Sequence, residues 1–192
     1  MNPSVKPFVK PSINWAARIL LAGGVVAYPT EGVFGLGCMP DDDDAVLRLL
    51  NIKQRPAHKG LILIGADSHM FEGWVAPEAL AQIPPPNSQR PVTWIVTPTV
   101  TVSYLLRGNH AGLAIRITTN PTAAALCRAV DSPIVSTSAN LSGRPVARNR
   151  YALRRQLGSL VDCVVPGECG PASGASEIRV LGTGTVLRPS GT

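Results

Sequence analysis

Acidic side chains are scarce in this 192-residue chain, with 12 Asp and Glu against 18 Lys and Arg, a net charge of +6 with histidine neutral. Lysine is scarce too: Lys6, Lys10, Lys53 and Lys59 are the whole set, so the positive charge is carried by arginine. No apolar run approaches the ~20 residues of a bilayer-spanning helix, which excludes a helical membrane protein. The opening MNPSVKPFVKPS has two lysines and three prolines but no apolar core, so no secretory signal is read there and a cytoplasmic location is expected. Four cysteines, Cys38, Cys127, Cys163 and Cys169, are 89, 36 and 6 residues apart. They form no C-x-x-C pair and have only three histidines to assist them, so no protein-bound structural metal is expected and the thiols read as reduced and mostly buried. No G-x-x-x-x-G-K-[ST] phosphate loop and no G-x-S-x-G nucleophile elbow occur, and His58, His69 and His110 lack a triad context and read as surface residues.

Apolar residues make up 45% of the chain and charged residues 16%, which suits one folded domain of real core and excludes wholesale disorder. Residues 1–102 hold eight basic and eight acidic groups, whereas residues 103–192 hold ten arginines against Asp131, Asp162, Glu168 and Glu177, a net of +6. That asymmetry suits an anionic partner such as a polyphosphate or RNA, or a merely solvated arginine surface.

Residues 1–11 read as an N-terminal extension and 12–192 as one domain. Ser12 is expected to cap a helix to about Leu21, stopped by Gly23-Gly24. Val25–Tyr28 reads as a strand ended by Pro29. Asp41–Asp44 suit the positive end of a helix better than a metal site. Leu61–Ile64 reads as a buried strand, Pro84–Pro91 as a loop, and Val92–Val96 and Leu113–Ile117 as strands flanking a short helix over Val102–Leu106. Asn120-Pro121 opens a helix to about Val130. Ile134-Val135 is a short strand before a polar loop from Ser136 to Pro145, and a basic helix follows over Asn149–Leu157. Strands at Val161–Val165, Glu177–Leu181 and Thr185–Leu187 close the chain. This alternation predicts an α/β fold with a twisted mixed sheet and flanking helices.

Three segments are richer in polar groups than folding requires. The first, residues 28–37, reads as a glycine-rich turn in which Thr30 and Glu31 offer a hydroxyl and a carboxylate. The second carries Lys53, Arg55 and Lys59 at a helix end, a pattern that suits either the helix terminus or a polyphosphate. The third, Ser136–Pro145, follows a strand directly and reads equally as a ligand loop or a Ser/Asn turn.

Taken together, YPTEGVFGLG (28–37), IKQRPAHKGLILI (52–64), GLAIRIT (112–118), PIVSTSANLSGRP (133–145), SEIRVL (176–181) and VLRPSG (186–191) resemble the YrdC/TsaC family of threonylcarbamoyl-AMP synthases, in its short bacterial form. The likeness spans about residues 12–191, and the family's KxR…SxN signature falls on Lys53, Arg55, Ser138 and Asn140. The resemblance implies a YrdC-like domain with a concave basic face. The implied reaction takes L-threonine, bicarbonate and ATP, with Mg²⁺, to L-threonylcarbamoyl-adenylate and pyrophosphate. Downstream threonylcarbamoyl-transfer proteins would then modify adenosine 37 of tRNA to t6A. It places Lys53, Arg55, Lys59, Asn140, Arg148 and Arg188 on the nucleotide, Thr30, Arg116, Ser138 and Ser176 on threonine, and gives the signature four the catalytic role. Three positions depart from the pattern: Gly32 replaces a frequent second threonine, Ile64 a histidine of longer relatives, and Gln89-Arg90-Pro91 a P-G-P. The alternative is a non-catalytic RNA-binding or ribosome-assembly module with weak tRNA or double-stranded RNA affinity, although only nine aromatics are available for stacking. Carbamoyl transfer in hydrogenase maturation is a third reading, but it normally brings zinc-finger and acylphosphatase-like segments for which this chain has no room.

Overall fold

A computed structural model describes residues 11–172 and 174–191. The N-terminal extension therefore lies almost entirely outside the described residues.

Helix α1 spans Pro11–Leu21. It begins one residue before the expected Ser12 cap, which instead sits inside the first turn. Its end is as expected: Gly23 takes a left-handed conformation (φ 79°), its N–H bonds Leu20 O, and that of Gly24 bonds Ile19 O. Asp42 caps α2 (Asp43–Lys53) by accepting from Ala45 N, so the aspartate run serves helix entry. Asn120 caps α5 (Pro121–Val130) and Asn149 caps α6 (Arg150–Leu157), each accepting two backbone N–H groups. Two short helices, α3 (Pro77–Leu80) and α4 (Tyr104–Arg107), lie between.

The strands are β1 (Val26–Pro29), β2 (Phe34–Gly37), β3 (Ile62–Gly65), β4 (Val92–Val96), β5 (Leu113–Ile117), β6 (Ile134–Ser138), β7 (Cys163–Val164), β8 (Glu177–Val180) and β9 (Val186–Arg188). They form one mixed sheet in the order β7-β1-β2-β6-β3-β5-β4-β8-β9, with parallel pairs at β1·β7, β3·β5 and β4·β8. Two expectations need correction. Residues 28–37 are not a turn alone but a hairpin, with Tyr28 opposite Gly35. Ser136–Ser138 belong to β6, where Gly35 pairs with Ser138 and Leu36 with Thr137. The glycines make this possible: a Cβ on Gly37 would stand 2.5 Å from Val135 O and 2.8 Å from the Tyr28 ring.

Alternation along β1 sends Val26 and Tyr28 to one face and Ala27 to the other. The first face is covered by α1 and α5, with Leu20 and Leu126 wholly buried; the second is covered by α2, α4 and α6 through Leu49, Leu106 and Leu153. Each such leucine contributes roughly 2 kcal/mol of apolar transfer. Both faces of the sheet are thus anchored, which leaves the strand-end loops to carry chemistry.

Candidate active site

The K-x-R spacing has a local cause. Lys53 is the last residue of α2, Gln54 caps it in the left-handed conformation (φ 51°), and Arg55 N bonds back to Leu50 O. The reversal at Gln54 gives the two cations different surroundings. Lys53 is buried, and its ammonium donates to Ser138 O, to Asn140 O at 2.8 Å and to Asn140 Oδ1 at 3.0 Å. Asn140 Oδ1 also accepts from Ser138 Oγ at 2.7 Å, and Asn140 Nδ2 donates to Arg144 O at 2.6 Å. All three ammonium protons are spent, so Lys53 fastens the Ser138–Asn140 loop from behind. Burial, then the neighbouring Arg55, pushes its pKa down from 10.5 to about 8.

Arg55 instead lines a cavity, together with Arg116 of β5 and Arg188 of β9. Thr30 and Glu31 of the hairpin turn, Ser136 to Ser138 of β6 and Ser176 before β8 complete its polar wall. Arg55 is held by Gly60 O at 3.0 Å, Arg188 by Ser176 O at 2.8 Å and Arg116 by Ser176 Oγ at 3.1 Å. Burial lowers the pKa of Arg55, and it lowers that of Arg188 with further depression from Arg116 and Arg55. Three guanidinium groups face one carboxylate, 3 minus 1, or +2 within the cavity. Such crowding of like charge is unfavourable without an anion and favourable with one.

The carboxylate, Glu31, is a site residue that sequence reasoning left unassigned. Its Oε1 accepts from Thr118 Oγ1 at 2.6 Å and Thr119 N at 2.8 Å, and its Oε2 lies 3.4 Å from Arg116 Nη2. Burial opposes its ionisation, but Arg116 and these two donors together hold its pKa below the ordinary carboxylate value. Among the described residues, four buried side-chain polar atoms lack a hydrogen-bond partner, and three of them, Glu31 Oε2, Arg116 Nε and Arg188 Nε, belong to this cavity's wall.

Six of the ten residues singled out by sequence therefore share one cavity: Thr30, Arg55, Arg116, Ser138, Ser176 and Arg188. Lys53 and Asn140 stand behind its β6 wall. Lys59 and Arg148 are exposed and do not line it; Arg148 makes a long contact of 3.5 Å to Ala172 O. Thr30 Oγ1 donates to Val33 O at 2.7 Å, so its hydroxyl remains an acceptor only. The segment approaching β8 packs against the hairpin turn, with Gly170 N bonding Thr30 O and Ala172 N bonding Glu31 O. This explains Gly32: a Cβ there would stand 2.4 Å from Gly174 O and 2.9 Å from Ala172 O. Ile64, the second departure, is wholly buried beneath α5.

Comparison with known proteins identifies the family of the chain. A family model for Sua5, YciO and YrdC, described as "Telomere recombination", matches residues 18–190. A Cellvibrio japonicus protein named threonylcarbamoyl-AMP synthase is 44% identical over 184 residues, covering 95% of this chain and 97% of that one. The structure of P. abyssi Sua5 complexed with L-threonine superposes with a TM-score of 0.82 at 28% identity; the match covers 93% of this chain, which spans about half (54%) of that longer one. E. coli YciO gives a TM-score of 0.76 at 28% identity, covering 93% of this chain and 88% of its own. The chain belongs to the Sua5/YciO/YrdC family.

Proposed function

We propose that this chain is a threonylcarbamoyl-AMP synthase, joining L-threonine, bicarbonate and ATP into L-threonylcarbamoyl-adenylate with release of pyrophosphate and water. The observation that carries the reading is the cavity in which Arg55, Arg116 and Arg188 converge on a wall of hydroxyls with a single counter-charge. The threonine amine first adds to the bicarbonate carbon: a C–N bond forms, a C–O bond breaks, and the departing hydroxide leaves as water with an amine proton. A carboxy oxygen of N-carboxythreonine then attacks the α-phosphorus, and the bond to the bridging oxygen breaks as pyrophosphate leaves. Nucleophile and electrophile are both anionic, so fixed cations must offset their repulsion and receive the charge of the leaving group.

In this reading Arg55 and Arg188 hold the phosphates, with Lys59 and Arg148 reaching the nucleotide from the rim. Arg116 holds the threonine carboxylate, with Thr30, Ser138 and Ser176 beside it. Lys53 and Asn140 act through the β6 loop, keeping Ser138 in place and adding positive potential behind it. Catalysis is then positioning and electrostatics, with no covalent enzyme intermediate. That these cations form one concave basic face is part of the same proposal.

Among the described residues no three His, Cys, Asp or Glu side chains gather as metal ligands, and Glu31, the cavity's carboxylate, is directed to Arg116. This donor set suits anions and does not fit a resident divalent cation. Mg²⁺ enters the proposal as part of the substrate, bound to the ATP phosphates. Downstream transfer of the threonylcarbamoyl group to tRNA by partner proteins, in the cytoplasm, completes the reading; no helix among the described residues is long and apolar enough to cross a membrane. A non-catalytic RNA module would have no use for the buried hydroxyl wall.

The test is pyrophosphate release by the purified chain supplied with ATP and bicarbonate. Release that requires threonine, with threonylcarbamoyl-adenylate found by mass, is expected; release indifferent to the amino acid would remove the assignment.

A further inference from the structure

We propose that Glu31 receives, on its Oε2 atom, the ammonium group of the substrate amino acid while Arg116 holds the carboxylate. The proposal rests on the functional reading above and names a residue to which that reading gives no role.

Glu31 is 3% exposed and lines the cavity. Its two oxygens are used differently. Oε1 is tied to the Thr118 hydroxyl and the Thr119 N–H, which fixes the plane of the carboxylate. Oε2 has no hydrogen-bond partner, and its neighbour Arg116 Nη2 stands at 3.4 Å, beyond a good charge-assisted hydrogen bond. Arg116 in turn spends Nη1 on Ser176 Oγ and leaves Nε unpaired. An orphaned acceptor and an orphaned donor thus belong to adjacent side chains on the wall of one cavity.

Buried polar groups in native proteins are nearly always paired, so orphans on a cavity wall point to a ligand that supplies the missing partners. An α-amino acid zwitterion supplies both, because its ammonium donates and its carboxylate accepts from neighbouring atoms. A hydroxy acid or a plain carboxylic acid supplies only the second. A phosphate supplies acceptors alone and would be repelled by Glu31. Because the carboxylate is held ionised by its surroundings, Glu31 is a receiver of positive charge, and the proton lost before carboxylation is not assigned to it. Its function is to bring the nitrogen that will be carboxylated to one fixed point on the wall.

The contrasting account makes Glu31 a counter-ion that merely orients Arg116. The two differ in how the ligand's amine matters. Calorimetric titration of wild type and Glu31→Gln with L-threonine and with (R)-3-hydroxybutyrate, which is threonine without its amine, separates them. Glutamine keeps an oxygen for Thr118 and Thr119, and unchanged unfolding of the variant checks this. Wild type is expected to bind threonine roughly 10- to 100-fold tighter than the amine-free analogue, the range of a charge-assisted hydrogen bond. In Glu31→Gln that preference should fall to within about threefold, by loss of threonine affinity, while the analogue and ATP bind as tightly as before or more so, one negative charge having left the cavity. Equal loss of both acids, or unchanged threonine binding, overturns the assignment and leaves the synthase reading standing. No threonine binding by wild type overturns the synthase reading itself and this assignment with it. Should Glu31→Gln not fold, the wild-type comparison decides alone: equal affinity for the two acids refutes the role.

Discussion

Lys53→Met removes one ammonium from the knot behind the β6 loop and keeps most of the side-chain volume. Of the three acceptors it deserts, Ser138 O keeps the Asn140 N–H at 3.0 Å and Asn140 Oδ1 keeps the Ser138 hydroxyl at 2.7 Å. Asn140 O loses its Lys53 donor, and one buried acceptor without a donor costs about 2 kcal/mol. For a chain of this size that is a fall in Tm of about 4–8 °C near neutral pH. The pH dependence is more diagnostic. The folded-state pKa of Lys53 is depressed from 10.5 to about 8, so folding disfavours its charged form. The penalty is fully present below about pH 8 and is relieved as pH rises towards the unfolded value, because there the unfolded chain binds more protons. Wild type should therefore gain on Lys53→Met by about 2 kcal/mol between pH 7 and pH 9.5, at 1.36 kcal/mol per unit of pKa difference. Urea unfolding of both proteins at the two pH values measures this, since other titrating groups cancel in the difference. Turnover should be lost in the variant at either pH. A stability gap that narrows as pH rises would mean that the folded state favours the ammonium, and the reasoning about burial would be wrong.

Three further outcomes follow from the cavity. Arg188→Met should change the stability of the unliganded protein by no more than about 2 kcal/mol, because relief of repulsion with Arg116 and Arg55 offsets part of the donor lost to Ser176 O, while weakening ATP binding roughly tenfold or more; normal ATP affinity in the variant would contradict the role, as thermal unfolding with and without ATP reads directly. Arg116→Lys should raise the threonine requirement more than the ATP requirement, because one ammonium cannot reproduce a fork that spans Ser176 and Glu31, and steady-state kinetics in each substrate would expose an equal effect. Gly32→Thr should cost roughly 2 kcal/mol or more by driving its side chain into Gly174 O and Ala172 O, and a stability equal to wild type in urea would refute the packing argument.

Much of this architecture is legible in the residues because its signals are local. The aspartate run at the entry of α2, the Asn120-Pro121 opening and the start of the basic helix at Asn149 are each decided within three or four positions. What is illegible depends on distant partners. Phe34-Gly35-Leu36-Gly37 looks like a turn by composition, and only the close approach of Val135 and Tyr28 makes those glycines a strand requirement. Ser136–Ser138 looks like a loop because its hydroxyls suit one, but β2 and β3 pair it into the sheet. The site divides in the same way. The convergence of Lys53 with Ser138 and Asn140 follows from the resemblance, whereas the division of labour between Lys53 behind the wall and Arg55 upon it follows from the left-handed Gln54, which no composition rule marks. Glu31 stands 87 residues from Thr118, so nothing in its own neighbourhood shows that half its carboxylate is spent and half is open.

A crystal structure of the chain with threonine and a non-hydrolysable ATP analogue tests the central claim most directly. The triphosphate should lie against Arg55 and Arg188 with the amino acid on Arg116, all within the cavity between the hairpin turn and Ser136–Ser138. Either ligand bound elsewhere, for example on the exposed arginines of α6, would contradict the account.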